Sequence, residues 1–138
     1  MSRSSSMHPT ELELEILKIL WEESPLPVRE VRARLESQAG RKSAHSTVIT
    51  MLNIMFDKGF LKRKKDGKSF LFSPKVKKNR VTGGMTGDLL LRAFDGSLPA
   101  MVMNLLDTND VDADELAEIR KLIARKAKEK KQLSLIHI

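Results

Sequence analysis

Cysteine is absent from the chain, which excludes a disulfide framework, a thiolate metal site and a Cys–His nucleophile. Histidine is scarce, and His8, His45 and His137 are too scattered to form a metal cluster, so neither metal nor cofactor is expected. The phosphate loop G-x-x-x-x-G-K and the nucleophile elbow are also missing. Most Asp and Glu residues fall on solvent faces of predicted helices, leaving no catalytic set, and the chain is read as a non-enzyme. No apolar run approaches the roughly 18 residues of a transmembrane helix, so no membrane insertion is expected. The start, MSRSSSMHP, lacks the apolar stretch of a signal peptide and reads as a loose tail, which predicts a cytoplasmic protein.

What is present is apolar material and positive charge, unevenly placed. Of the 138 residues, 41% are hydrophobic, enough to bury a core in one ordinary domain or a small domain with an appendage. The net charge is +7. Residues 1–78 carry 16 Lys and Arg against 9 Asp and Glu, whereas residues 79–138 carry 9 of each. Within residues 58–78, nine basic side chains face the single acid Asp66. A basic segment followed by a neutral one points to a part that meets phosphate and a part that meets protein.

Three helices and a hairpin are legible up to Pro74. Thr10 and Glu13 form a capping box, and Leu12, Ile16, Ile19 and Leu20 give the first helix its apolar face, widened by Leu14, Leu17 and Trp21. Ser-Pro-Leu-Pro at 24–27 breaks it, with Pro27 suited to the first turn of a second helix over about 27–38 that buries Val28, Val31 and Leu35. A linker over 37–42 precedes a third helix over 44–58, which Gly59 stops. Its apolar face is Val48, Met51, Leu52, Met55 and Phe56. Next, the turn Lys65-Asp66-Gly67-Lys68 between Phe60–Lys64 and Ser69–Ser73, with Phe70 and Phe72 alternating, predicts a two-stranded hairpin.

Helix followed by a lysine-loaded hairpin is the pattern of a winged helix, and it points to DNA. The exposed side of the third helix offers Ser46, Thr47, Ile49, Thr50 and Asn53. Hydroxyls and an amide can read base edges in the major groove, and Ile49 can touch a thymine methyl. Arg41, Lys42, Lys62, Lys64, Lys65 and Lys68 are the candidates for neutralising phosphates. His45 sits at the start of the same helix, where a lone histidine is more often incidental. Taken singly, each of these side chains is equally well a solvated surface group; polar helix start and basic hairpin tip on one surface make the case.

Beyond Pro74 the composition changes. KVKKNRVTGG at 75–84 reads as a basic linker ending in flexible glycines. Three short amphipathic helices follow, over about 85–94, 98–106 and from the cap Asp112 onward. Too small to hold a core alone, they read as a dimerisation module whose face is Leu89, Phe94, Met101, Val102, Leu105, Leu116, Ile119, Leu122 and Ile123. The last seven residues, QLSLIHI, break the charged pattern of KAKEKK; their origin is left open. The expected organisation is a DNA-binding domain over 8–78, a linker over 79–84, a helical dimerisation domain over 85–131 and the tail 132–138.

ELELEILKILW at 11–21, HSTVITMLNIMFDKGFLKRKKDGKSFLFSP at 45–74 and LLRAFDGSLPAMVMNLLD at 90–107 together resemble the penicillinase-repressor family, the BlaI/MecI-type bacterial repressors, from about Thr10 to Ile123. That resemblance implies a mainly α fold with a small β-hairpin, in which a winged helix-turn-helix DNA-binding domain precedes a C-terminal helical dimerisation domain. It implies a homodimer on double-stranded DNA bearing a palindromic operator, repressing beta-lactam-resistance or other stress genes. It also implies a membrane sensor-protease partner, which releases the DNA by cutting the bond matched here by Asn104 and Leu105. The chain departs from the family pattern at Ile54, where an arginine is common, and at Leu105, where the best-known members carry phenylalanine. Lacking cysteine, it has no counterpart to the tail of the copper-responsive relatives. The rival reading is a winged helix used for protein assembly, its basic wing binding an acidic partner; a hydroxyl-bearing third helix argues against that, since docking faces more often carry aromatic or apolar anchors.

Overall fold

In a computed structural model that describes residues 8–136, the chain divides into two units, Met1–Leu89 and Leu90–Ile138. Residues 1–7, most of the expected N-terminal tail, and residues 137–138 lie outside the described residues.

The first unit begins with α1 (Glu11–Glu22), started by the capping box: Thr10 Oγ1 accepts from the Glu13 backbone at 3.2 Å while the Thr10 N–H donates to Glu13 Oε1 at 2.9 Å. Ile16, Leu17, Ile19 and Leu20 are buried, as their spacing requires. Leu26–Pro27 forms a short strand, β1, before α2 (Val28–Ala39), which buries Val31 and Leu35. Gly40, expected in a linker, is the left-handed C-cap of α2 at φ +64°; an L side chain is disfavoured there. Next is α3 (His45–Asp57), with Val48, Leu52 and Met55 at i, i+4 and i+7 on its buried face and Gly59 just beyond its end. The hairpin β2 (Leu61–Asp66) and β3 (Ser69–Pro74) completes a winged helix.

The sheet is antiparallel in the order β1-β3-β2. The structure thus adds a third strand to the expected hairpin: Leu26 faces Phe72 and Pro27 faces Leu71. Pro27 can serve there because it lies on the outer strand, where one absent N–H breaks little of the ladder. The turn also shifts. Lys65 and Asp66 belong to β2, and Asp66 pairs with Ser69, leaving a two-residue loop of Gly67 and Lys68 with Gly67 at φ +64°. Positive φ at the first loop residue is what a tight hairpin turn needs to match strand twist.

Among the described residues, Glu13 is the buried charged side chain of the core, at 1% exposure. Its carboxylate closes the capping box with one oxygen and accepts from Lys58 Nζ at 2.7 Å with the other, joining the start of α1 to the C-cap of α3. Replacing Glu13 with Ala is expected to cost about 2–3 kcal/mol, the range for losing charge-assisted hydrogen bonds together with half a cap. Urea unfolding should show a lower midpoint at unchanged slope. An unchanged midpoint would mean that water replaces both partners at no cost.

After the wing, Trp21 Nε1 donates to the Val76 carbonyl at 2.9 Å, and Val81 is fully buried. The flexible linker expected over 79–84 is instead helical, inside α4 (Lys78–Phe94), despite Gly83, Gly84 and Gly87. Each glycine weakens a helix by about 1 kcal/mol relative to alanine. Burial of Val81 anchors the helix ahead of the glycines, and the Thr82 and Thr86 hydroxyls bond back to the Lys78 and Thr82 carbonyls at 3.0 and 3.1 Å, as side chains do within a helix.

The second unit holds α5 (Leu98–Thr108), capped by Ser97 Oγ accepting from Ala100 N at 3.2 Å, and α6 (Ala113–Ile136), capped by Asp112 Oδ1 accepting from Glu115 N at 2.8 Å. Residues 132–136 of the expected tail continue α6 without a break. Neither helix buries a single residue. Leu98, Leu105, Leu116, Leu122 and Ile123 are exposed, while Met101, Val102, Leu106 and Ile119 are half-buried. Among the described residues, no single helix is long and apolar enough to cross a membrane.

Candidate nucleic-acid interface

The outward side of α3 carries the polar stripe. Packing of Val48, Leu52 and Met55 into the core turns Ser46, Thr47, Ile49 and Thr50 out to solvent, with Asn53 half-buried beyond them. Ser46, Ile49, Thr50 and Asn53 follow three- and four-residue spacing, so they line one strip of the helix. His45 opens the helix beside them.

The wing lysines do not share one face. Leu61 is buried, and strand alternation puts Arg63 and Lys65 on its side while Lys62 and Lys64 point the other way. Lys68 sits in the loop at the tip. All of these lysines are exposed. Lys42 is also exposed, but Arg41 is already engaged: its Nε donates to Glu15 Oε1 at 2.6 Å and its Nη2 to Glu11 Oε1 at 3.2 Å. The hydrogen bond and charge of Glu15, then of Glu11, raise the Arg41 pKa above its ordinary value. Of the six cations expected at phosphates, Arg41 is therefore the one whose charge is compensated within the fold.

Between α3 and the wing lies an open groove of about 420 Å³, lined among others by Ile49, Asn53, Arg63, Lys68 and Phe70. Its lining combines apolar side chains with the cations Arg29, Arg63 and Lys68. Arg63, which the sequence pattern did not single out, is held there by three contacts. Its guanidinium lies 4.0 Å from the Phe56 ring centroid and 4.5 Å from that of Phe70, and its Nη1 donates to Asn53 Oδ1 at 2.9 Å. Arg29, at the start of α2, lines the same groove. Alternation from Leu61 would have placed Arg63 inward, but the aromatic bracket joins three separate elements. Arg32 supports the approach to α3, its Nε donating to the Ser43 carbonyl at 2.8 Å.

Asn104 and Leu105 lie inside α5 and are exposed, and side chains one turn on bond to their carbonyls: Thr108 Oγ1 donates to that of Asn104 at 2.7 Å and Asn109 Nδ2 to that of Leu105 at 2.8 Å. The expected dimerisation residues spread over α4, α5 and α6, and Leu98, Ile119, Leu122 and Ile123 line one shallow apolar groove in the second unit. No group of three or more metal-ligating side chains occurs among the described residues.

Residues 9–125 match the family model described as penicillinase repressor. The chain is similar to the penicillinase repressor of Bacillus licheniformis, 26% identical over 89% of this chain and 94% of that protein. It is also similar to the methicillin resistance regulatory protein MecI of Mammaliicoccus sciuri, 24% identical over 83% and 91% of the two chains. Among solved structures, the complex structure of hsRosR-S4 matches with a TM-score of 0.52 at 19% identity, over 94% of this chain and 98% of that one; at this identity the likeness concerns the fold alone.

Proposed function

Because the chain belongs to the penicillinase repressor family, whose curated members are repressors and regulators of resistance rather than enzymes, we propose that it represses transcription as a homodimer on a palindromic operator. The observation that carries this reading is the strip on α3 formed by exposed Ser46, Ile49 and Thr50 with half-buried Asn53 at its end, beside the basic wing. Short hydroxyls and an amide on a helix that fits the major groove are suited to base edges, and exposed lysines beside it to phosphates. In the second unit, exposed leucines and isoleucines on helices without a core of their own support a second copy of the chain as their cover.

The regulated genes in this reading are those of beta-lactam resistance or a related stress response, and the protein acts in the cytoplasm where the operator is. Release follows cutting at Asn104–Leu105 by a membrane sensor-protease. Because that bond is helical, the middle of α5 must open locally before a protease can bind it in extended form. Severing α5 weakens the dimer while leaving the reading head intact.

Selection from a random duplex library, followed by anisotropy titration of the winner near 0.15 M salt, tests this proposal. A palindrome bound about a thousandfold more tightly than scrambled DNA is expected. Thr47→Ala and Thr50→Ala should each relax preference at one position per half-site by roughly 1–3 kcal/mol. Weak binding without preference would sink the proposal, and intact discrimination in both variants would remove α3 from base reading.

A further inference from the structure

We propose that Arg63 is a positioning residue that locks the wing to α3 and turns the Asn53 amide so that it presents N–H donors to an acceptor on a base edge. The inference rests on the reading of this face as the DNA-binding one.

A guanidinium has only donors. The 2.9 Å hydrogen bond between Arg63 Nη1 and the Asn53 amide therefore requires the amide oxygen to face Arg63 and its two N–H groups to face elsewhere. Amide orientation is usually ambiguous between oxygen and nitrogen; here the partner's chemistry decides it. Free asparagine reads adenine by accepting and donating at once. With its oxygen engaged by a cation, Asn53 is biased towards donating, which favours edges rich in acceptors. Guanine, with O6 and N7 side by side in the major groove, is the base of that kind.

The bracket around the guanidinium gives Arg63 its hold. Phe56 comes from α3 and Phe70 from β3, and the two rings lie 4.0 and 4.5 Å from the cation. Phe70 is the diagonal neighbour of Arg63 on the same side of the sheet, two residues along β3 from Phe72, which pairs with Arg63. Helix, both wing strands and the reading amide are thus tied through one planar side chain. Planarity matters: lysine cannot stack between two rings and also donate along the ring plane. A guanidinium used in this way is oriented by the fold rather than by a phosphate.

Arg63→Met, Arg63→Lys and Asn53→Asp in the full-length protein, each checked for cooperative thermal unfolding, would be compared with the parent by library selection and by salt-dependent anisotropy. For Arg63→Met the expected result is a loss of about tenfold in discrimination at the position that Asn53 reads, with the slope of log affinity against log salt unchanged. Arg63→Lys should fail to rescue. Asn53→Asp keeps a partner for Arg63 but offers only acceptors, so preference at that position should move towards bases with exocyclic amino donors, cytosine or adenine. Full discrimination with a slope reduced by about 0.9 would make Arg63 a phosphate ligand and overturn the inference; so would rescue by lysine, or an Asn53→Asp preference identical to the parent's. If the parent itself selected no sequence, the DNA-binding reading would fail and this inference with it; a selective parent beside an unaltered Arg63→Met would remove this inference alone.

Discussion

Leu122→Glu in α6 is expected to yield a monomer whose affinity for a full palindromic operator falls at least about a hundredfold. Leu122 is 48% exposed and Ile123 59%, and Leu122 lines the apolar groove with Leu98 and Ile119. A second chain covering this surface would desolvate an introduced carboxylate, a cost that pairing with Lys126, one turn on and on the same groove, would offset only in part. In the proposed dimer, the second half-site would meet a head already held nearby. Linkage of this kind raises affinity roughly 10²–10⁴-fold although neither head binds its half-site any better. The variant should bind an isolated half-site as the parent does, since α6 and α3 belong to different units. Sedimentation velocity gives the oligomeric state and anisotropy the two affinities. A variant that stays dimeric would move the interface to another face of the second unit; a monomer that keeps full operator affinity would show that pairing does not drive repression.

The second large effect belongs to the wing. Replacing Lys64, Lys65 and Lys68 together with alanine should reduce the slope of log affinity against log salt by up to about 0.9 for each phosphate no longer neutralised, amounting to roughly a hundredfold at 0.15 M if all three lysines take part. The effect should be equal for winner and scrambled sequences, because phosphates carry no base identity. The three single variants should differ. Lys64 points away from the α3 side of β2, Lys65 towards it, and Lys68 stands at the tip, so a backbone running along one side of the wing reaches them unequally. A triple variant with the parent's slope would mean that the wing stays clear of DNA.

Local signals carried much of the fold. The Thr10–Glu13 box, the 3–4 spacing of Val48, Leu52 and Met55, and the stop at Gly59 each depend on residues within one or two turns, and each stands in the structure. The hairpin was legible from Asp66-Gly67 with Phe70 and Phe72, but its turn was offset, because the strands carry Lys65 and Asp66 further than composition suggests. β1 was not legible: two residues have no period, and Leu26 becomes a strand only when Phe72 is opposite. The glycines at 83, 84 and 87 argue locally for a linker, yet the helix runs through them, its first turns anchored by the buried Val81.

Within the candidate site, exposure of the α3 stripe followed from the buried stripe opposite, so Ser46, Thr47, Ile49 and Thr50 were readable without a structure. The neighbours of the charged groups were not. Glu11 and Glu15 lie 30 and 26 residues from Arg41, and they compensate a cation that looked available for phosphate. Lys58 reaches back 45 residues to the buried Glu13. Arg63 looked like one more base in a run of five residues that carries four cations, until folding placed it between Phe56 and Phe70 with Asn53 in reach. By itself the sequence determined the first three helices, the hairpin, the polar strip on α3 and the split between a basic half and a neutral one, because periodicity, caps and charge act over a few residues. Only tertiary structure decided which cations are compensated, which amide an arginine engages and which strand is added, because those depend on partners on other elements that no local pattern encodes.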